Sequence, residues 1–255
     1  MFVRRAYIPD HLQPDHGQLS RWPFTVPCVQ QVVDEGLEFA APVTFLMGDN
    51  GSGKSTLVEA IAEGFKLDPH GGRAAVKTAR PEPVTTELGK VLRLDTTAAG
   101  SKMLGGPRVK KKGFFLRAET AFSMTENLGG VGGYWEADTS AMSHGEGFVT
   151  MIESMMNAPG FYVMDEPEAA LSFSSCLHLI SVLHRLGRTG AQVVCATHSP
   201  ILAATPGADV VEVGPWGLRR VPWQDLDLVE HWSRFLKSPQ AYLRHIIDDD
   251  IQGIS

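Results

Sequence analysis

The sequence predicts an α/β fold with a mainly parallel central sheet flanked by helices. Three stretches carry this expectation. Val43–Met47 is a short apolar run followed by GDNGSGKST and an apolar helical pattern. Gly160–Met164 runs into DEPE and then a helical pattern, Phe173–Gly187. Ala191–Ala196 runs into THSP and a short helical stretch, Ile201–Ala204. Each is strand, loop, helix, the unit from which parallel sheets are built. Phe24–Val33, interrupted by Pro27, reads as an edge strand. Leu37–Ala40 reads as its partner, so an antiparallel β side layer is expected beside the main sheet.

The loop after the first run matches G-x-x-x-x-G-K-[ST] at Gly48, Gly53, Lys54 and Ser55. A phosphate chain has to be wrapped by backbone N–H groups, and glycine lets the backbone turn tightly and approach closely. The loop opens a helix, Ser55–Phe65, whose N-terminal amides and dipole favour an anion. Gly48, Asp49, Asn50, Gly51, Ser52 and Gly53 form the expected cradle. Lys54 brings a charge to the β/γ-phosphates, Ser55 offers a hydroxyl to Mg²⁺, and Thr56 reaches the α-phosphate. The expected ligand is a nucleoside triphosphate. Trp22 or Phe24 could stack on its base, or pack inside the side layer.

Composition bounds the rest. With 43% hydrophobic and 20% charged residues, the 255-residue chain is ordinary for a globular protein. No apolar run reaches 18 residues, so no membrane insertion is expected, and MFVRRAYIPDHL lacks the apolar core of a signal peptide. The cytoplasm is the expected compartment. Cys28, Cys176 and Cys195 lie far apart in apolar contexts and read as buried thiols. His178 and His184 read as structural. The net charge of −6 is unevenly spread: Arg73–Lys112 holds ten Lys/Arg against three acids, +7, leaving −13 elsewhere. Such a segment is either a solvated surface or a contact for nucleic-acid phosphates.

The expected organisation is one domain over 1–255, with an irregular N-terminal arm at 1–21, a mobile basic insert at 67–112 and a C-terminal helical tail at 225–255. Within the insert, VLRLDT suggests a strand and Ala98–Lys112 an exposed loop. Gly113–Arg117 reads as a buried strand, Thr120–Asn127 as a short helix and 129–138 as a glycine-rich segment. After MSHGEG, Phe148, Met151, Ile152 and Met155 have helical spacing, which places Ser143 and Gly145 at a helix N-terminus. Asp209–Val213 is a further strand, and GPWGLRRV a hairpin.

Chemistry at a Mg-nucleotide needs one carboxylate for the metal and one to orient or deprotonate water. Asp165 closes its strand and suits the first role; Glu166 suits the second. His198 follows another apolar strand and would face the same crevice, within reach of a γ-phosphate.

The order GDNGSGKST, MSHGEG, FYVMDEPEAALS, CATHSP resembles that of ABC-type ATPases, in particular the stand-alone branch related to RecF, Rad50 and SMC heads. It is also similar to short bacterial predicted ATPases carrying GFFLRAE, SHGE, DEPEAALS, ATHSP and YLRH. The resemblance covers at least 37–213. It implies a P-loop NTPase fold, ATP and Mg²⁺ as ligands, Asp165 at the metal, Glu166 as catalytic carboxylate, and His198 as γ-phosphate switch. Ser143 and Gly145 would contact the γ-phosphate of a second copy, which implies an ATP-dependent homodimer. Four residues depart from the family pattern. His144 and Glu146 replace a glycine and the glutamine of the signature sequence, and Ser172 stands in place of an aspartate. No glutamine occurs between Gln31 and Gln192, so Glu119 is the candidate for the missing metal-contacting glutamine. Roughly 24 residues separate Glu119 from Ser143, too few for a full helical lobe or a coiled coil, so a reduced lobe is expected. Three uses remain open: an ATPase acting on nucleic acid through Arg73–Lys112, a nucleotide-gated dimerisation switch controlling a protein partner, or the energising subunit of a transporter.

Overall fold

A strand covered on both faces is apolar throughout, and runs of this kind form the middle of the main sheet. The computed structural model describes residues 1–67, 72–73, 85–105, 113–117 and 144–244. Its strands are β1 (Val3–Tyr7), β2 (Leu37–Glu38), β3 (Val43–Gly48), β4 (Gly72–Arg73), β5 (Arg93–Thr96), β6 (Gly113–Arg117), β7 (Phe161–Asp165), β8 (Gln192–Thr197), β9 (Asp209–Gly214) and β10 (Gly217–Arg220). The larger sheet has the order β10-β9-β3-β8-β7-β6-β4. Strands β9, β3, β8, β7 and β6 run parallel, and β10 and β4 pair antiparallel at the two ends. The fold is therefore α/β with a mostly parallel sheet, as the three strand–loop–helix units require.

After β3 the chain returns to the sheet at the edge strand β4, fills inward with β6, β7 and β8, and then adds β9 on the far side of β3. The carboxyl ends of β3, β8 and β7 consequently stand side by side, with Met47 opposite Thr197 and Ala196 opposite Asp165. The helix Lys54–Gly64 leaves β3 and covers the sheet with Leu57, Val58, Ala60 and Ile61. The Phe65 ring packs on Phe161 at 4.5 Å between centroids. Each fully buried Phe, Leu or Ile of this kind contributes about 1.5–3 kcal/mol.

The antiparallel layer exists: Leu37–Glu38 lies in it as expected and the strand expected in VLRLDT joins it as β5, but Phe24–Val33 does not. Its order is β2-β1-β5, so its central strand comes from the segment read as an irregular arm. Gln192 at the start of β8 ties β1 down: its Oε1 accepts from the Phe2 and Val3 N–H groups at 2.7 and 2.9 Å, and its Nε2 donates to the Val3 carbonyl at 2.9 Å. The stretch read as an edge strand is a helix, Pro27–Asp34. Proline stands at its first position, where the missing N–H costs nothing, and Cys28, Val29, Val32 and Val33 face the core. Within the basic insert, Ala98–Gly105 is a helix and not a loop. Gly100 lets that helix touch the N-terminal strand, since a Cβ there would lie 2.1 Å from the Phe2 carbonyl oxygen. A short helix, Glu87–Val91, precedes β5. Thr120–Asn127, the glycine-rich 129–138, the place of the reduced lobe, and most of 68–84 and 106–112 lie outside the described residues.

The chain separates into two compact units, Met1–Arg220 and Val221–Ser255. The second unit contains the amphipathic helix Asp227–Lys237. Among the described residues, no helix is long and apolar enough to cross a membrane.

Candidate functional site

The loop between β3 and its helix is shaped by contacts that leave no room for side chains at two glycines. A Cβ on Gly48 would lie 2.1 Å from the Val213 carbonyl oxygen of β9. Gly53 has φ 99° and ψ 4°, and its Cβ would lie 2.6 Å from Cys28 Sγ. Cys28 thus braces the loop from behind, and its thiol also donates to the Ser52 carbonyl at 3.1 Å. Burial pushes that thiol up to about 11. The sequence identified Cys28 as a buried thiol; its place under the loop was not legible, because the intervening residues do not read as a helix.

Lys54 is 3% exposed and its Nζ donates to the Asp49 carbonyl at 2.8 Å. Desolvation lowers its pKa, against the pull of Glu166, Asp165, Asp49 and Glu168. A cation held this way gains from an incoming anion, which returns the charge balance that burial removes.

Asp165, the last residue of β7, accepts from Ser55 Oγ–H at 2.9 Å. Burial raises its pKa, opposed by that hydrogen bond and by Arg117. Arg117 closes β6, lies opposite Asp165 in the sheet, and approaches its carboxylate at 3.7 Å while holding Glu59 at 2.9 Å. Sequence reasoning missed Arg117. Its signal was the last position of GFFLR, one strand away from the carboxylate pair.

Glu166 adopts φ 50° and ψ 50°, an uncommon conformation for a residue with a side chain. Holding it there costs on the order of 1–3 kcal/mol. The turn brings Glu166 Oε1 to 2.7 Å from His198 Nε2. Lys54, Ser55, Asp165, Glu166 and His198, from three separate chain segments, are therefore brought together at one end of the sheet. A cavity there is lined by Trp22, Val26, Lys54, Ser55, Thr56 and Glu166, along with Asn50, Gly51 and Gly53. Trp22 is 67% exposed at this cavity, whereas Phe24 is 2% exposed in the core, which separates the two aromatic candidates.

Gly145 is the second residue of the helix His144–Met155 and does not line the cavity. Ser143 and Glu119 lie outside the described residues. Ser172 caps the helix Phe173–Arg188, accepting from the Ser175 N–H at 3.2 Å.

The donor set suits Mg²⁺. Ser55 and Asp165 offer hard oxygens, and among the described residues no cluster of three or more His, Cys, Asp or Glu could cage a metal. Mg²⁺ is commonly held by one or two protein oxygens with phosphates and water completing its shell.

Residues 29–69 match the family model of an AAA domain. The matched stretch contains the glycine-rich loop Gly48–Ser55. The match runs from within the helix Pro27–Asp34 through β3 and the loop to the helix Lys54–Gly64; Cys28, Asp165, Glu166 and His198 lie outside it. No curated protein matches the chain. Among solved structures, the SMC head domain from Thermotoga maritima is similar at 16% identity and TM-score 0.48, over 87% of this chain and 99% of that one. The structure of cbiO1 from Clostridium perfringens, part of the ABC transporter complex cbiONQ, is similar at 13% identity and TM-score 0.44, over 84% and 90%. An ATP-binding cassette, MJ0796, in a dimeric post-hydrolysis state bound to ADP and Pi is similar at 16% identity and TM-score 0.42, over 75% and 90%.

Proposed function

We propose that the chain is a Mg-ATP-dependent ATPase that pairs with a second copy of itself around ATP. The observation that carries this is the convergence of two pairs beside Lys54: Ser55 with Asp165 at 2.9 Å, and Glu166 with His198 at 2.7 Å. In this proposal the P-loop amides from Asp49 to Gly53 cradle the phosphates and Trp22 stacks on the adenine. Ser55 and Asp165 would hold Mg²⁺, which would supply charge neutralisation to the phosphates. Glu166 orients the attacking water in line with the γ-phosphate and accepts its hydrogen bond. His198 fixes one oxygen of Glu166 and reaches the γ-phosphate. Lys54 stabilises the charge that grows on the transferring group. Ser143 and Gly145 of the second copy close the site from the opposite side. Glu119 is proposed as a further contact to the metal.

The test is phosphate release from Mg-ATP by wild type and by Glu166→Gln. Turnover by the wild type and its absence in the variant support the proposal; unchanged turnover in the variant overturns it.

The charge of Arg73–Lys112 favours nucleic acid as the substrate on which turnover acts. At low salt, duplex or single-stranded DNA is expected to bind and to stimulate phosphate release. Neither effect appearing would remove nucleic acid from the proposal and leave the ATPase standing.

A further inference from the structure

Strands β7 and β8 pair in parallel up to Asp165 and Ala196, and the Glu166 N–H extends the ladder to the Ala196 carbonyl at 2.9 Å. The next rung would run from the His198 N–H to the Glu166 carbonyl. That carbonyl is taken: the chain turns left-handed at Glu166, enters the 3-10 turn Pro167–Ala170, and the Ala169 N–H donates to Glu166 O at 3.1 Å. A strand-end amide beside a buried site would be left without an acceptor. The structure fills the gap with a side chain, since the His198 N–H donates to Glu168 Oε1 at 2.5 Å. The other carboxylate oxygen, Oε2, is buried and has no partner among the described residues. Glu168 therefore makes a single, charge-assisted contact, and makes it to the main chain of His198.

We propose that Glu168 is a positioning residue that sets the distance between His198 and Glu166. The inference rests on the ATPase reading above. One short turn carries both carboxylates, two residues apart, and both hold the same histidine. Glu166 meets the imidazole and Glu168 meets the backbone, so the residue is held at two points, ring and main chain. Glu168 does not line the cavity beside Lys54, and its hydrogen bond goes to His198. Its tie to the phosphate loop is a charge felt by Lys54, the weakest of the four carboxylates there after Glu166, Asp165 and Asp49, so its loss weakens the chemical step far more than ATP binding.

The experiment is steady-state phosphate release with kcat and KM resolved, alongside ATP affinity, for wild type, Glu168→Ala, Glu168→Gln, His198→Ala and the Glu168→Ala/His198→Ala double variant of the full chain. Glu168→Ala is expected to lower kcat by about tenfold or more, the scale of a lost hydrogen bond to a charged group, with KM within about twofold. Glu168→Gln keeps an oxygen acceptor and is expected to recover most of kcat. The double variant is expected to be no slower than His198→Ala, because the two residues act as one unit. If Glu168→Ala fails to fold, Glu168→Asp, which withdraws the acceptor by one methylene, is expected to show the same kcat loss. Unchanged kcat, a change confined to KM, or additive losses in the double variant would overturn the inference. Wild-type turnover that Glu166→Gln abolishes but Glu168→Ala leaves intact would sink the inference alone. Absence of wild-type turnover would sink the ATPase reading with it.

Discussion

Alanine at Gly53 would place a Cβ 2.6 Å from Cys28 Sγ and 2.7 Å from Val26 Cγ1, at φ 99°. Two costs follow. An L-residue in left-handed backbone costs about 1–2 kcal/mol. Forcing a methyl group into a packed contact costs about 1–3 kcal/mol more. The sum, about 2–5 kcal/mol, corresponds to a melting-point fall of roughly 4–20 °C for a domain of this size. The sulfur cannot swing away without losing its hydrogen bond to the Ser52 carbonyl. The P-loop would have to move instead, and ATP affinity would fall with stability. Denaturant unfolding of Gly53→Ala, Cys28→Ala and the double variant separates the two costs. Cys28→Ala removes the nearer obstacle and leaves the backbone strain, so the double variant should be less destabilised than the sum of the singles by about 1 kcal/mol or more. Additive effects, or unchanged ATP affinity in Gly53→Ala, would refute the bracing of the loop by Cys28.

Burial holds the Asp165 carboxyl above its ordinary value. The native state then binds more protons than the unfolded one from about pH 4 upward, so stability falls as pH rises through that window. Asp165→Asn should melt higher than wild type at pH 7 without nucleotide, lose that advantage below about pH 4, and lose Mg-dependent turnover; a pH-independent difference would contradict this. Trp22→Ala should weaken ATP binding by about tenfold, the scale of one aromatic–base stack, with little loss of stability. Phe24→Ala should instead destabilise by about 3–5 kcal/mol, because that ring is in the core. Titration calorimetry and melting curves distinguish the pair.

Much of this site was legible because it is local. A strand, a loop and a helix that follow one another carry their chemistry in adjacent residues, as GDNGSGKST and FYVMDEPE do. What was illegible is long-range. The N-terminal strand alternates poorly, with Arg4 and Arg5 in its middle, and is fixed by Gln192 from the far end of the sheet. Pro27 pointed to an edge strand, although proline is equally at home at the first turn of a helix, and the spacing of Cys28, Val29, Val32 and Val33 was the better guide. Arg117 and Glu168 each matter through a partner from another segment of the chain, Asp165 and His198, so no window of sequence shows them together. Glycine misled once as well: Gly100 suggested a loop, whereas it permits a helix to lie against the Phe2 backbone.

In the proposed function, Glu166, held by His198 beside the phosphate loop, carries the chemistry of an ATP-closed pair of subunits. Light scattering of Glu166→Gln with Mg-ATP, with phosphate release measured on the same sample, tests it most directly. The expected result is bound ATP, no turnover and a stable dimer that disappears when ATP is removed. A variant that turns over ATP like the wild type, or that stays monomeric with ATP bound, would contradict it.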